Sequence, residues 1–135
     1  KNPTDAEVRK DFEGGWKGDK QNKFTAAGRN AKENEAFELV KTLANYRKNT
    51  PALHSGKFTQ YLPQEGIYVY FRHDNSKTIM VVMNSNTSVS NLETVRFSER
   101  MKGFSSVKNI LNDEVIPTLN SLKVPAMTAW VLELK

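Results

Sequence analysis

The sequence predicts a mainly β protein, an antiparallel β-sandwich of the Greek-key type with about eight strands, preceded by an irregular loop and one α-helix. After Pro51 the apolar residues recur with a period of about 2 instead of the helical period of about 3.6. Clusters of Gly, Pro, Asn and Asp separate the apolar runs. Runs of this kind, spaced about eight to twelve residues apart, are typical of an antiparallel sandwich.

Residues 1–24 are polar and contain glycines, and Val8 is their only branched apolar residue. A stretch of this composition has no apolar face to bury by itself. We therefore expect a long irregular loop that once packed against something else, as in a piece taken from a longer chain.

A helix is predicted to begin after Asn30, because Glu33 three residues later completes a capping box. It is predicted to end at residues 49–51, where Pro51 removes a backbone donor and restrains the preceding residue. The apolar stripe of this helix is formed at helical spacing by Phe37, Val40, Leu43 and Ala44.

Eight strands are predicted in the remainder of the chain. Residues 78–83 are apolar at both parities, which predicts a strand in the middle of a sheet that is covered on both faces or meets a partner. Residues 95–102 are expected to form a short helical crossover. The predicted strands are 57–62, 67–72, 78–83, 88–92, 104–110, 114–116, 119–124 and 128–134.

Composition excludes several classes of function. The chain has 135 residues, the size of one domain, and no cysteine, which excludes disulfides, thiol catalysis and Cys-ligated metals. Its two histidines lie far apart, so neither a metal nor a cofactor is predicted. The net charge of +5 is spread along the chain without a basic stripe, and this argues against a nucleic-acid partner. No apolar run reaches the roughly 20 residues of a membrane span, so membrane insertion is not expected.

Candidate chemical groups are few. Glu35 and Glu38 lie on the polar side of the predicted helix, where carboxylates usually serve only to solvate it. Aromatic side chains are a stronger candidate, because sugar-binding surfaces use exposed aromatic rings as platforms. The alternative is that the strand aromatics fill a core or an interface, whereas the loop around Trp16 offers no obvious core. The aromatic candidates are Trp16, Tyr61, Tyr68, Tyr70 and Trp130.

Residues 9–19, RKDFEGGWKGD, resemble the R-x-D-F-P-G-G-W-x-G-D loop of cyclomaltodextrinase- and neopullulanase-like glycoside hydrolases of the α-amylase superfamily. Glu13 replaces the usual proline of that loop. The similarity continues through the predicted helix to Gly56, into VYFR at 69–72 and MVVMN at 80–84, and to the closing PAMTAWVLEL at 125–134.

The resemblance implies that residues 1–50 are a remnant of a catalytic (β/α)₈ barrel, its last loop and final helix, and that residues 51–135 are the C-terminal β-sandwich. In this family the barrel hydrolyses α-1,4-glucans or cyclodextrins with retention, using two aspartates and a glutamate that precede the matched loop. No catalytic residue is therefore expected in this chain. The loop contributes to the rim of the active site in such barrels, so Asp11 and Trp16 are the candidate substrate contacts, or else they fix the loop against the barrel or the helix.

Two functions remain open at this point. The first is a non-catalytic accessory domain that covers apolar surface on the barrel of the same parent chain and stabilises the enzyme. The second is a carbohydrate-binding module that captures maltodextrin by aromatic stacking. A free-standing interaction domain is a third possibility, which the loop resemblance disfavours. The family further implies a periplasmic or cell-surface location.

Overall fold

The computed structural model describes residues 2–135, so residue 1, the first of the predicted barrel remnant, lies outside the described residues. Internal contacts divide the chain into two compact units, one that ends at Lys41 and one from Thr42 to Lys135. The domain boundary between residues 50 and 51, which follows from the resemblance, stays a prediction.

Residues 2–30 of the first unit are mostly irregular, in line with the loop predicted at 1–24, and they include one α-helical turn, α1 (Asp5–Val8). The Glu7 carboxylate accepts hydrogen bonds from the backbone N–H and the hydroxyl of Thr4, at 2.7 and 2.9 Å. This Thr-x-x-Glu pattern stabilises a helix start, but no apolar stripe follows it that would have indicated a helix. A 3₁₀ turn (Ala26–Gly28) precedes the main helix.

The long helix α2 (Ala31–Lys48) confirms the predicted element. Its capping box is reciprocal: the Asn30 N–H donates to the Glu33 carboxylate at 2.7 Å, and the Glu33 N–H donates to the Asn30 side-chain oxygen at 3.0 Å. The helix stops before Pro51, which begins a short 3₁₀ helix (Pro51–Leu53).

The second unit contains eight strands in two sheets and confirms the predicted antiparallel sandwich. The strands are β1 (Lys57–Gln60), β2 (Ile67–His73), β3 (Thr78–Asn84), β4 (Ser90–Glu93), β5 (Val107–Asn109), β6 (Val115–Ile116), β7 (Ser121–Val124) and β8 (Thr128–Leu134). Six of them form one sheet in the order β1-β2-β3-β8-β5-β6, and β4 pairs with β7 in a second sheet. All pairings are antiparallel.

The core lies between the inner face of the six-stranded sheet and a second layer. The second layer consists of the β4–β7 pair and the helical crossover, a 3₁₀ turn (Thr94–Phe97) followed by α3 (Ser98–Met101). This crossover confirms the helical segment predicted at 95–102. The buried cluster comprises Ile67, Val69, Phe71, Met80, Val82, Phe97, Met101, Val107, Leu122, Val124, Leu132 and Leu134.

Strand β3 is central, between β2 and β8, and is buried on both faces along most of its length, as its apolar pattern predicts. On the outer face, the register pairs Tyr70 with Val81, and Ile79 with Glu133. The segment Pro51–Leu53 packs against β2 and β3 there, and Ala52 is fully buried.

Candidate functional site

The loop that carries Asp11 and Trp16 is closed by a neighbouring aspartate. The Asp19 carboxylate accepts hydrogen bonds from the backbone N–H groups of Gly14, at 2.7 Å, and Trp16, at 3.0 Å. These bonds, led by that of Gly14, lower the pKa of Asp19. Because the ionised carboxylate is the better acceptor, the loop is held most firmly above that pKa.

Glycines permit the sharp turns of this loop. Gly14 has a φ of 110° and Gly18 a φ of 115°, values that residues with a Cβ rarely adopt. Two of the glycines in GGWKGD are therefore explained by the backbone conformation of the loop in this chain.

The base of the loop is joined by an aromatic pair and an ion pair. The rings of Phe12 and Phe24 meet edge to face with their centroids 4.8 Å apart. The Lys23 ammonium lies 2.7 Å from a Glu33 carboxylate oxygen and 3.9 Å from one of Glu13. The residue that replaces the family proline therefore faces a lysine.

The two predicted contact residues both lie on the surface of the first unit. The Trp16 side chain is 70% exposed, and Asp11 is exposed as well. Neither side chain makes a hydrogen bond or an ion pair to another residue in the range 2–135. The carboxylate that holds the loop closed is that of Asp19, whereas the sequence had indicated Asp11. Contact with substrate at Asp11 and Trp16 stays a prediction.

The remaining aromatic candidates divide between the two faces of the sheet. Tyr61 packs against Phe71 and Phe97 at the core, and its hydroxyl donates to Glu99 at 2.6 Å. Trp130 is half-buried against the same core. For these two residues the packing interpretation applies.

Tyr68 and Tyr70 lie on the outer face, in a row with Phe58, and we call these three residues the outer aromatic row. The ring centroids are 5.4 Å apart for Phe58 and Tyr70 and 5.7 Å apart for Tyr68 and Tyr70. Phe58 is 51% exposed, and the neighbouring Met83 is also exposed. Phe58 was not among the sequence candidates. It pairs with Arg72 in the register of β1 and β2, and this pairing places it on the same face as Tyr68 and Tyr70.

Other candidate chemistry is sparse in the described part of the chain. Glu38 is exposed and pairs with Lys41 at 3.0 Å, as expected for a solvated helix face. Across residues 2–135, no three His, Asp or Glu side chains gather in a group suited to a metal ion. None of the helices in this range is both long and apolar enough to cross a bilayer.

The model of the family described as cyclo-malto-dextrinase C-terminal domain matches residues 58–133, more than half of the chain. The chain belongs to this family. Over these residues the match confirms the resemblance noted in the sequence.

Individual relatives agree with the family match. A cyclomaltodextrin glucanotransferase of Klebsiella oxytoca is 35% identical over 52 residues, which are 38% of this chain and 8% of that protein. The chain thus spans a small fraction of the length of this relative.

Solved structures show the same fold. An α-amylase from Geobacillus thermoleovorans, complexed with acarbose, superposes with a TM-score of 0.64 and 19% identity over 75% of this chain and 23% of that chain. An isomaltulose synthase mutant from Erwinia rhapontici NX5, in complex with D-glucose, gives a TM-score of 0.61 and 22% identity over 82% and 20% of the two chains. At such identities the likeness concerns the fold alone.

Proposed function

We propose that this cyclomaltodextrinase C-terminal domain is the non-catalytic accessory part of a retaining glycoside hydrolase that acts on α-1,4-glucans or cyclodextrins. Its task is to cover apolar surface of the catalytic barrel of the same parent chain and so to stabilise the enzyme. The family match and the small share of its relatives' length that the chain spans support this role.

The observation that carries the proposal is the uncovered apolar stripe of α2. No residue of this 18-residue helix is buried. Phe37 is 43% exposed and Val40 is 65% exposed, although both belong to the stripe that a helix normally turns toward a core. The Arg29 guanidinium lies 3.8 Å from the centre of the Phe37 ring and covers one face of this ring.

The barrel of the parent enzyme is the proposed cover of this stripe. In the parent chain, Val40→Asp places a charge in an apolar contact and lowers the melting temperature by several degrees, because burying an unpaired charge is costly. Thr42→Asp is the matched control, since Thr42 lies on the opposite side of the same helix. The parent enzyme carrying each substitution is compared by calorimetry and by cyclodextrin hydrolysis below the melting range.

Equal melting temperatures for the two variants would overturn the docking role of α2. The isolated chain is assayed in parallel and is expected to release no glucose from maltodextrin or cyclodextrin. Hydrolysis by the isolated chain would contradict its non-catalytic assignment.

A second function, capture of maltodextrin by aromatic stacking, is favoured by the outer aromatic row. Three adjacent rings on one sheet face offer the apolar platform on which sugar rings stack. Titration of the isotope-labelled chain with maltoheptaose tests it, with Tyr68→Ala as the variant. Unchanged amide signals in β1 and β2 at millimolar sugar would reject this function.

We further propose, from the family resemblance, that the parent enzyme resides in the periplasm or at the cell surface. Cell fractionation followed by immunodetection of the parent chain tests this location.

A further inference from the structure

A cleft opens in the sandwich between the β1–β2 turn, β4 and the helical crossover. Its volume is about 520 Å³, within the range of small-molecule sites. Its lining includes the polar or aromatic side chains of Tyr61, Gln64, Glu65, Asn91, Glu93 and Arg96. None of these side chains except Tyr61 was a candidate in the sequence.

Arg96 is held in one place at the cleft. Its guanidinium donates to the Gln64 side-chain oxygen at 2.6 Å and to the Leu62 carbonyl at 2.8 Å. It also lies 5.9 Å from the centre of the Tyr61 ring. A guanidinium has five N–H donors, so Arg96 retains donors for a ligand while its position is already fixed.

The β1–β2 turn is also held in an uncommon conformation. Glu65 has a φ of 49°, which few residues other than glycine adopt. The Asn86 side chain donates to the Glu65 carbonyl at 2.7 Å and to the Ser90 hydroxyl at 3.1 Å. The tether from Asn86 keeps Glu65 at the mouth of the cleft.

Three lining side chains have unused hydrogen-bonding capacity. Glu65, Asn91 and Glu93 line the cleft, and none of them forms a side-chain hydrogen bond or ion pair with the rest of residues 2–135. They add carboxylate acceptors and an amide, which both donates and accepts, to the donors of Arg96. A hydroxyl group both donates and accepts, so this mixture matches a ligand rich in hydroxyl groups.

The charge of the cleft selects against other ligands. Glu65 and Glu93 bring two carboxylates to the lining and Arg96 one guanidinium, so these charged residues leave an excess of negative charge that disfavours a phosphate or another anion. The lining is mixed, because apolar side chains also contribute to it, namely Leu62, Ile67, Val69, Leu92 and Phe97. A purely apolar ligand would leave the polar groups beside them without partners.

We propose that this cleft is a binding site for a neutral polyhydroxylated ligand, a short oligosaccharide. An α-1,4-linked glucan as the particular ligand rests on the function proposed above, whereas the class of ligand rests on the cleft alone. The site is separate from the outer aromatic row, which lies on the opposite face of the six-stranded sheet.

The test is a nuclear magnetic resonance titration of the whole labelled chain with maltotriose, with cellobiose and inorganic phosphate as comparison ligands. Saturable shifts are expected at the amides of Asn91 and Arg96. Asn91→Ala should weaken maltotriose binding about tenfold, the effect of losing one good hydrogen bond. Asn75→Ala is the matched control, because Asn75 is an exposed residue of the β2–β3 turn, away from the cleft.

The outcomes separate this site from the proposed function. Shifts confined to the outer aromatic row, no shift with either sugar, or equal weakening by Asn91→Ala and Asn75→Ala would overturn the cleft as a sugar site. Phosphate binding in the cleft would overturn its preference for neutral ligands. Binding of cellobiose but not maltotriose would support the cleft and count against α-glucan as the ligand, while the Val40→Asp result tests the docking role independently.

Discussion

Glu133 is a carboxylate buried in β8, on the outer face of the sheet, with 5% of its surface exposed. The Tyr46 hydroxyl donates to it at 2.6 Å and the Lys77 ammonium at 2.9 Å, and Lys135 pairs with its other oxygen. Burial by itself raises the pKa of Glu133, but the hydrogen bonds from Lys135, Tyr46 and Lys77 outweigh burial and lower this pKa to about 2.

The lowered pKa predicts acid sensitivity of the sandwich. The pKa of a glutamate in an unfolded chain is about 4.3, so below that pH the folded state binds fewer protons than the unfolded state. The stabilising contribution is complete above the unfolded pKa and is lost as the pH falls toward the folded one. Between pH 7 and pH 3 the loss from this group is about 2 kcal/mol. Urea unfolding at both pH values measures it.

Glu133→Gln should remove this part of the pH dependence, and Glu35→Gln, at an exposed helix position, should leave it in place. An identical pH dependence for the wild-type protein and Glu133→Gln would contradict the assignment.

The sequence contains an indication of this buried carboxylate, because an acid within the apolar run VLEL requires partners when the strand is buried. It did not show which partners, since Tyr46 and Lys77 are distant in the chain.

In the loop of residues 11–19, the side chain of Asp19 holds two backbone amides. Asp19→Ala should speed hydrogen exchange at the amides of Gly14 and Trp16 severalfold, because both lose their acceptor. Asp11→Ala is the matched control in the same loop and should leave exchange unchanged. Amide exchange followed by nuclear magnetic resonance measures both variants, and equal acceleration would show that the loop is closed in another way.

Long elements were predictable from local pattern, and short ones were less so. The predicted strands 67–72, 78–83 and 128–134 match β2, β3 and β8 within one residue, because their apolar runs are long and clearly bounded. The predicted strand at 104–110 shrinks to Val107–Asn109, since Phe104 packs on the core from outside the ladder. One-turn elements such as α1 have too little pattern to be distinguished from a loop.

The second unit should fold alone. The buried core cluster lies entirely within it. A chain of residues 42–135 is therefore expected to unfold in urea in one cooperative step with an unchanged midpoint. Trp130 is then its only tryptophan, and its fluorescence reports the transition.

The chain of residues 1–135 carrying Trp16→Phe is the reference, because it retains the same single reporter. A lower midpoint or a non-cooperative transition in the shorter chain would show that residues before Thr42 are needed for stability.

The architecture was predictable only as a class. Period and turn spacing indicate an antiparallel sandwich, but they do not specify that β4 pairs with β7 while β5 pairs with β8. The cleft could not be predicted from the sequence, because its lining comes from the β1–β2 turn, β4 and the helical crossover, which are separate in sequence. Long-range pairing of this kind depends on packing of the whole domain.

The position of β8 has a consequence for how this domain is made in the cell. The last strand in sequence lies between β3 and β5 and joins the two parts of the large sheet. On the ribosome, the edge of β3 therefore waits unpaired until residues 128–134 have left the exit tunnel. During that interval an apolar strand is exposed to other nascent chains. Slow translation of the segment between β3 and β8 would lengthen the time in which this domain needs a chaperone.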